Sequence, residues 1–101
     1  MTDIMNKIKS TEAHKDDKGK ARYDLVSPEF EQSVAEVLTY GAEKYSENSW
    51  QKIENREERY YAALRRHIAA WRMGEEIDKE SGLPHLAHAA CNIMFLMYKD
   101  K

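Results

Sequence analysis

Between Arg65 and Asn92, His67, Glu75, Asp78, His85, His88 and Asn92 stand at spacings that suit chemistry. His85, His88 and Asn92 stand at i, i+3 and i+7, which puts three polar side chains on one side of an otherwise apolar helical pattern. Such groups are costly to bury unless each finds a partner. His67 lies on the apolar stripe of the preceding helical pattern, and antiparallel packing of the two segments would bring it to that same face. Between them, Glu75 and Asp78 form a Glu-x-x-Asp pair whose carboxylates share a face wherever the helical turn continues. Imidazoles and carboxylates converging in this way can hold a divalent ion. The same residue types also serve as hydrogen-bonded core histidines and as a solvated acidic loop.

A second group runs through Leu38–Trp50 (LTYGAEKYSENSW). Gly41 inside a helix costs roughly 1 kcal/mol relative to Ala, which suggests the close approach of another backbone or of a ligand. Lys44, Tyr45, Asn48 and Trp50 add a cation, ring faces and an amide near one helix end, which suits a phosphate and a base. Tyr45 and Trp50 as core with Lys44 on the surface is the plainer alternative. A third group, Gly19–Leu25 (GKARYDL), sets Lys20 and Arg22 beside Tyr23, an arrangement able to close over an anion. Cys91 lies in an apolar run without an activating cation beside it and is read as inert. No GxSxG, Walker A or GxGxxG motif occurs.

The elements that must position these residues are helices. Ser27-Pro28-Glu29 starts the first, with a hydroxyl cap and Pro at the first helical position, and Phe30, Val34, Val37, Leu38, Gly41 and Tyr45 mark its apolar side up to an end at 46–49. Asn55 and Glu58 resemble a capping box opening a second helix with the stripe Tyr60, Leu64, His67, Ile68 and Trp71, stopped or bent at Gly74. The acidic connection 75–84 leads to Pro84 and a third helix, His85–Tyr98, striped by Leu86, Ala90, Ile93 and Met97 and widened by Ala89, Phe95 and Leu96. That breadth predicts burial on more than one side. There is no period-two strand pattern and no repeat, so the fold class is all-α. Residues 1–22 read as a flexible polar arm and residues 23–101 as one helical domain.

With 101 residues the chain makes one domain, and one small enough that completion by self-association, as a homodimer or homotetramer, is expected. Its 16 Lys plus Arg against 18 Asp plus Glu leave a net charge of −2, so no basic field argues for duplex nucleic acid. One cysteine permits no internal disulfide, and no apolar run is long enough to span a bilayer. A soluble, cytoplasmic protein with no membrane partner is the resulting expectation.

Taken together, GKARYDL (19–25), LTYGAEKYSENSW (38–50) and RRHIAAWRMGEEIDKESGLPHLAHAACNIMFL (65–96) resemble the phage and bacterial dATP/dGTP diphosphohydrolase family, a MazG-like all-α group. The resemblance implies a small MazG-like bundle that hydrolyses a purine deoxynucleoside triphosphate to monophosphate and pyrophosphate. It further implies Mg²⁺ or Mn²⁺, a nucleotide ligand, a homo-oligomer and a phage setting in the host cytoplasm. Under it, Glu75 and Asp78 would hold the ion, with His88 as ligand or base. Lys20, Arg22, Lys44 and Arg66 would meet the phosphates, and Tyr45 or Trp50 would stack on the base. Asn48, His67, His85 and Asn92 complete the substrate-binding candidates. MazG-type enzymes bind metal through EExxE on one helix and ExxD on the next, and neither pair occurs here in that helical context. Two outcomes fit this departure: a metal site rebuilt from Glu75, Asp78 and His88, or a domain that binds or sequesters nucleotide without turnover.

Overall fold

A computed structural model describes residues 18–98, so the arm expected over 1–22 lies, up to residue 17, outside the described residues. Three α-helices follow in order: α1 (Pro28–Lys44), α2 (Arg56–Arg72) and α3 (His85–Met97). Short 3₁₀ turns at Tyr23–Leu25 and Ser49–Lys52 precede α1 and α2. No strand occurs among the described residues, and none of their helices is long and apolar enough to cross a membrane. The bundle is all-α, as the periodicity predicts.

The helix ends follow from local chemistry. Ser27 caps α1 by accepting the Phe30 N–H at 3.2 Å, with Pro28 in the first turn. The capping box expected at Asn55 and Glu58 does not form: Asn55 takes a left-handed conformation (φ 54°) and its side chain accepts no capping bond. At the far end of α2 the Gly74 N–H bonds to the Trp71 carbonyl and the Glu75 N–H to the Ala70 carbonyl, both 3.0 Å, with Gly74 at φ 104°. That is a Schellman stop, and it needs a residue without Cβ strain at positive φ. The stretch Glu75–Pro84 is then no helical turn. It folds as a loop closed by an antiparallel bridge between Ile77 and Pro84, with Asp78 N–H on the Leu83 carbonyl and His85 N–H on the Glu76 carbonyl, each 2.9 Å.

The two ends of α2 show its direction relative to α3. Arg56 donates to the Phe95 and Tyr98 carbonyls at the end of α3, while His67 meets His85 at its start, so the helices run antiparallel. Val37, Ala87 and Cys91 form the small core, with Val34, Leu38, Leu83 and Phe95 against it. The stripes are rotated from the expected ones. On α2 the inward side is Tyr60, Ala63, Leu64, His67 and Ala70, whereas Ile68 and Trp71 are exposed. On α3 the buried positions are His85, Ala87, Ala89, Cys91 and Asn92, and Leu86, Ile93 and Met97 face outward. Small residues win the interface because alanines on both helices let the backbones approach. At the bundle edge, Tyr23, Leu25, Val26, Phe30 and Tyr45 are exposed as well.

Candidate functional site

Antiparallel packing and the bridged loop bring three elements to one place. His67 comes from the middle of α2, His88 from the first turns of α3 and Asp78 from the loop, and one ligand atom from each lies within 4.8 Å of the other two. His67 and His88 stack with ring centroids 4.6 Å apart and planes 7° from parallel. Ser81 Oγ lies 2.7 Å from His88 Nε2 and 3.4 Å from Asp78 Oδ2, and it accepts the Leu83 N–H. Asp78 Oδ2 is itself 3.4 Å from His88 Nε2, and its Oδ1 accepts the Glu80 N–H at 3.1 Å. Asn92 donates to the His88 carbonyl at 2.9 Å, which accounts for its burial on α3.

The electrostatics suit a cation. Burial, then the neighbouring His88 and His85, push the His67 imidazole down to about 4, so the ring is neutral near pH 7. Burial lowers His88 too, against an opposing pull from Asp78. Burial alone would raise Asp78, but the Glu80 N–H and the surrounding imidazoles outweigh it and the net shift is downward. Two neutral imidazoles and an ionised carboxylate are a competent donor set for a divalent ion.

Glu75, the other acid singled out in the sequence, stands apart from this cluster. Its Oε1 lies 2.6 Å from His85 Nε2, and His85 Nδ1 in turn lies 2.8 Å from His67 Nδ1. The hydrogen bond from His85 and the nearby Lys79 hold the Glu75 carboxyl below its usual range. His85 is 5% exposed, so its polar atoms are met wholly by these two partners.

The three-residue cluster opens onto a cleft of about 860 Å³ that is also lined by Tyr40, Gly41, Lys44, Tyr45, Asn48, Trp50, Arg66 and Asn92. Lys44 is ion-paired to Glu80, which also accepts from the Tyr40 hydroxyl, and the ammonium sits over the Tyr40 and Tyr45 rings. That pairing with Glu80 raises the Lys44 pKa and lowers that of Glu80. Trp50 belongs to an aromatic cluster, stacked on Phe95 at 4.7 Å and edge-on to Tyr98 at 5.1 Å, while Tyr45 is 70% exposed. A Cβ at Gly41 would meet nothing within 4 Å, so no backbone crosses there; the position faces the cleft. Lys20 and Arg22 are exposed and do not line the cleft, Arg22 being paired with Asp24 at 2.7 Å. Cys91 is 1% exposed, donates to the Val34 carbonyl, and burial pushes its thiol up to about 11, as expected for an inert group.

The spacing brings His67 toward the face of His88 and Asp78, where the structure has it, whereas the metal set expected from the sequence is Glu75, Asp78 and His88 with His67 toward substrate; Ser81 and Glu80 stand in neither expectation. A Ser three residues after Asp78 is the signal that was present, since Asp-x-x-Ser in a Gly-Pro loop favours side-chain turn bonds.

No solved structure matches the chain. A dATP/dGTP diphosphohydrolase of Salmonella phage PMBT28 is 39% identical over 82 residues, which cover 81% of this chain but only 28% of that longer protein. A family model described as "dATP/dGTP diphosphohydrolase, N-terminal" matches residues 10–101, and so takes in all three helices, the bridged loop and every residue of the His67, Asp78 and His88 cluster. This chain belongs to that family.

Proposed function

We propose that this domain hydrolyses a purine deoxynucleoside triphosphate to the monophosphate and pyrophosphate, using a divalent ion held by His67, Asp78 and His88. The observation that carries the reading is the convergence of those three ligands on a cleft that also presents Lys44 and Arg66. The name of the phage relative supplies the substrate class. Two imidazole nitrogens and a single carboxylate oxygen suit Mn²⁺ better than Mg²⁺, which favours all-oxygen surroundings.

When bound, the ion would supply charge neutralisation for the triphosphate and make a water acidic enough to attack. In the overall reaction the water oxygen bonds to the α-phosphorus as the bond to the α,β-bridging oxygen breaks, that electron pair leaves with pyrophosphate, and the water's proton is released to solvent. The chain's own residues do the rest. Arg66 and Lys44 offset phosphate charge, which requires Lys44 to exchange Glu80 for a phosphate oxygen. Tyr45 offers an exposed ring face for the base, and Asn48 an amide for its polar edge. Trp50, already stacked on Phe95, shapes the wall.

The test is product analysis with each deoxynucleoside triphosphate and Mn²⁺ or Mg²⁺. Monophosphate and pyrophosphate from dATP or dGTP, faster with Mn²⁺ and lost in both Asp78→Ala and His88→Ala, is the expected result. Wild-type rates in both variants would overturn the site. Tight binding without products would instead favour nucleotide sequestration, a use for which one carboxylate among three ligands is sufficient.

A further inference from the structure

We infer that Glu75 and His85 act as positioning residues: a Glu75–His85–His67 hydrogen-bonded relay fixes the tautomer of His67 and leaves the lone pair on its Nε2, the nitrogen not engaged by His85, for a metal ion. The inference rests on the proposed metal site and adds to it two residues that do not touch the ion. The geometry is specific. Glu75 Oε1 to His85 Nε2 is 2.6 Å, and His85 Nδ1 to His67 Nδ1 is 2.8 Å.

The proton positions follow from what each atom can do. An ionised carboxylate only accepts, so His85 donates to Glu75 from Nε2, and a His85 carrying that single ring hydrogen has a lone pair on Nδ1. Two lone pairs cannot face one another at 2.8 Å, so His67 must donate from Nδ1. A neutral His67 with its proton on Nδ1 has an unprotonated Nε2, the form in which an imidazole ligates a metal. Carboxylates and carbonyls commonly orient metal-binding histidines, and losing such partners typically costs about 10–100-fold in metal affinity. Here a second imidazole is interposed. The reason is spatial: the Schellman stop turns Glu75 toward the start of α3, where His85 is 5% exposed and bridges the remaining gap to α2.

Two measurements on the whole chain test the relay. Nitrogen-15 shifts of the imidazoles in the metal-free protein report the tautomers directly, and Co²⁺ or Mn²⁺ titration reports affinity. Expected are a protonated Nδ1 on His67 and a protonated Nε2 on His85. His85→Phe, which keeps a flat apolar ring but no hydrogen bond, should release the His67 tautomer and weaken metal binding about 10–100-fold. His85→Gln, which retains one donor for Glu75 and one acceptor for His67, should recover much of that loss. A purely structural role would move stability in both variants without discriminating donor from acceptor. A His67 protonated on Nε2, or a His85→Phe variant of unchanged affinity, overturns the relay. A wild-type chain that takes up neither ion overturns the metal reading itself and the inference with it.

Discussion

Among the histidines of the described residues, His67 carries the clearest pH signature. Folding holds its pKa at about 4, whereas the unfolded chain leaves a histidine near 6.5. The unfolded state therefore binds the proton first, and stability falls as pH is lowered through the window from about 6.5 to about 4. His88, lowered in the same direction, adds to the loss, and the depressed Glu75 and Asp78 extend it into the carboxylate range. Because His67 is half-buried, solvent screening keeps its share to about 1 kcal/mol, or roughly 4–8 °C in melting temperature for a domain of this size. Melting of the metal-free protein across this window should show the fall, and His67→Gln should flatten it; an unchanged slope in that variant would remove His67 as the cause. The residue types for this site were legible in the sequence, since histidines at i and i+3 on an apolar helix demand partners. Their pairing was not legible, because Asp78 is delivered by a bridged loop whose closure depends on contacts between Ile77 and Pro84 rather than on helical periodicity.

At the scale of the elements, two glycines make opposite predictions. Gly74 at φ 104° ends α2 and so directs Glu75 to His85; Gly74→Ala meets no clash within 4 Å and is penalised by backbone strain alone. It should lower the melting temperature by an amount matching roughly 1–2 kcal/mol and weaken metal binding through the displaced Glu75. Gly41 lies inside α1 with open space at its Cβ position, so Gly41→Ala should stabilise by about 0.5–1 kcal/mol while narrowing the cleft and weakening nucleotide binding. Thermal melts with and without nucleotide check both signs, and equal effects in the two variants would contradict the distinction. Helix ends were readable because Ser27-Pro28, Gly74 and Pro84 act locally. The inward faces were read less well: Ile68, Trp71, Leu86 and Ile93 looked like core, yet alanines on α2 and α3 permit the closer packing and turn those larger residues outward.

On the scale of the whole molecule, that outward turn leaves a surface to be covered. Among the described residues only Val37, Ala87, Ala89 and Cys91 are buried hydrophobics, a small core for three helices. Leu86, Ile93 and Met97 are 43%, 48% and 73% exposed and lie at i, i+7 and i+11 along one line of α3. Such a seam is self-complementary about a two-fold axis, since the same stripe on a second copy can run antiparallel against it. The opposite side of α3 carries the buried His85, Ala87 and Asn92, so dimerisation through the seam would clamp the helix that supplies His88 without covering the cleft. Light scattering at micromolar concentration should therefore give a dimer or a dimer of dimers, and Ile93→Glu should dissociate it because a buried unpaired carboxylate is strongly unfavourable. Metal binding should survive in that variant, since Ile93 is neither one of the clustered ligands nor part of the cleft lining. A wild-type monomer would show that the seam stays open to solvent or meets another part of a longer chain, and a dimer unaffected by Ile93→Glu would place the interface elsewhere.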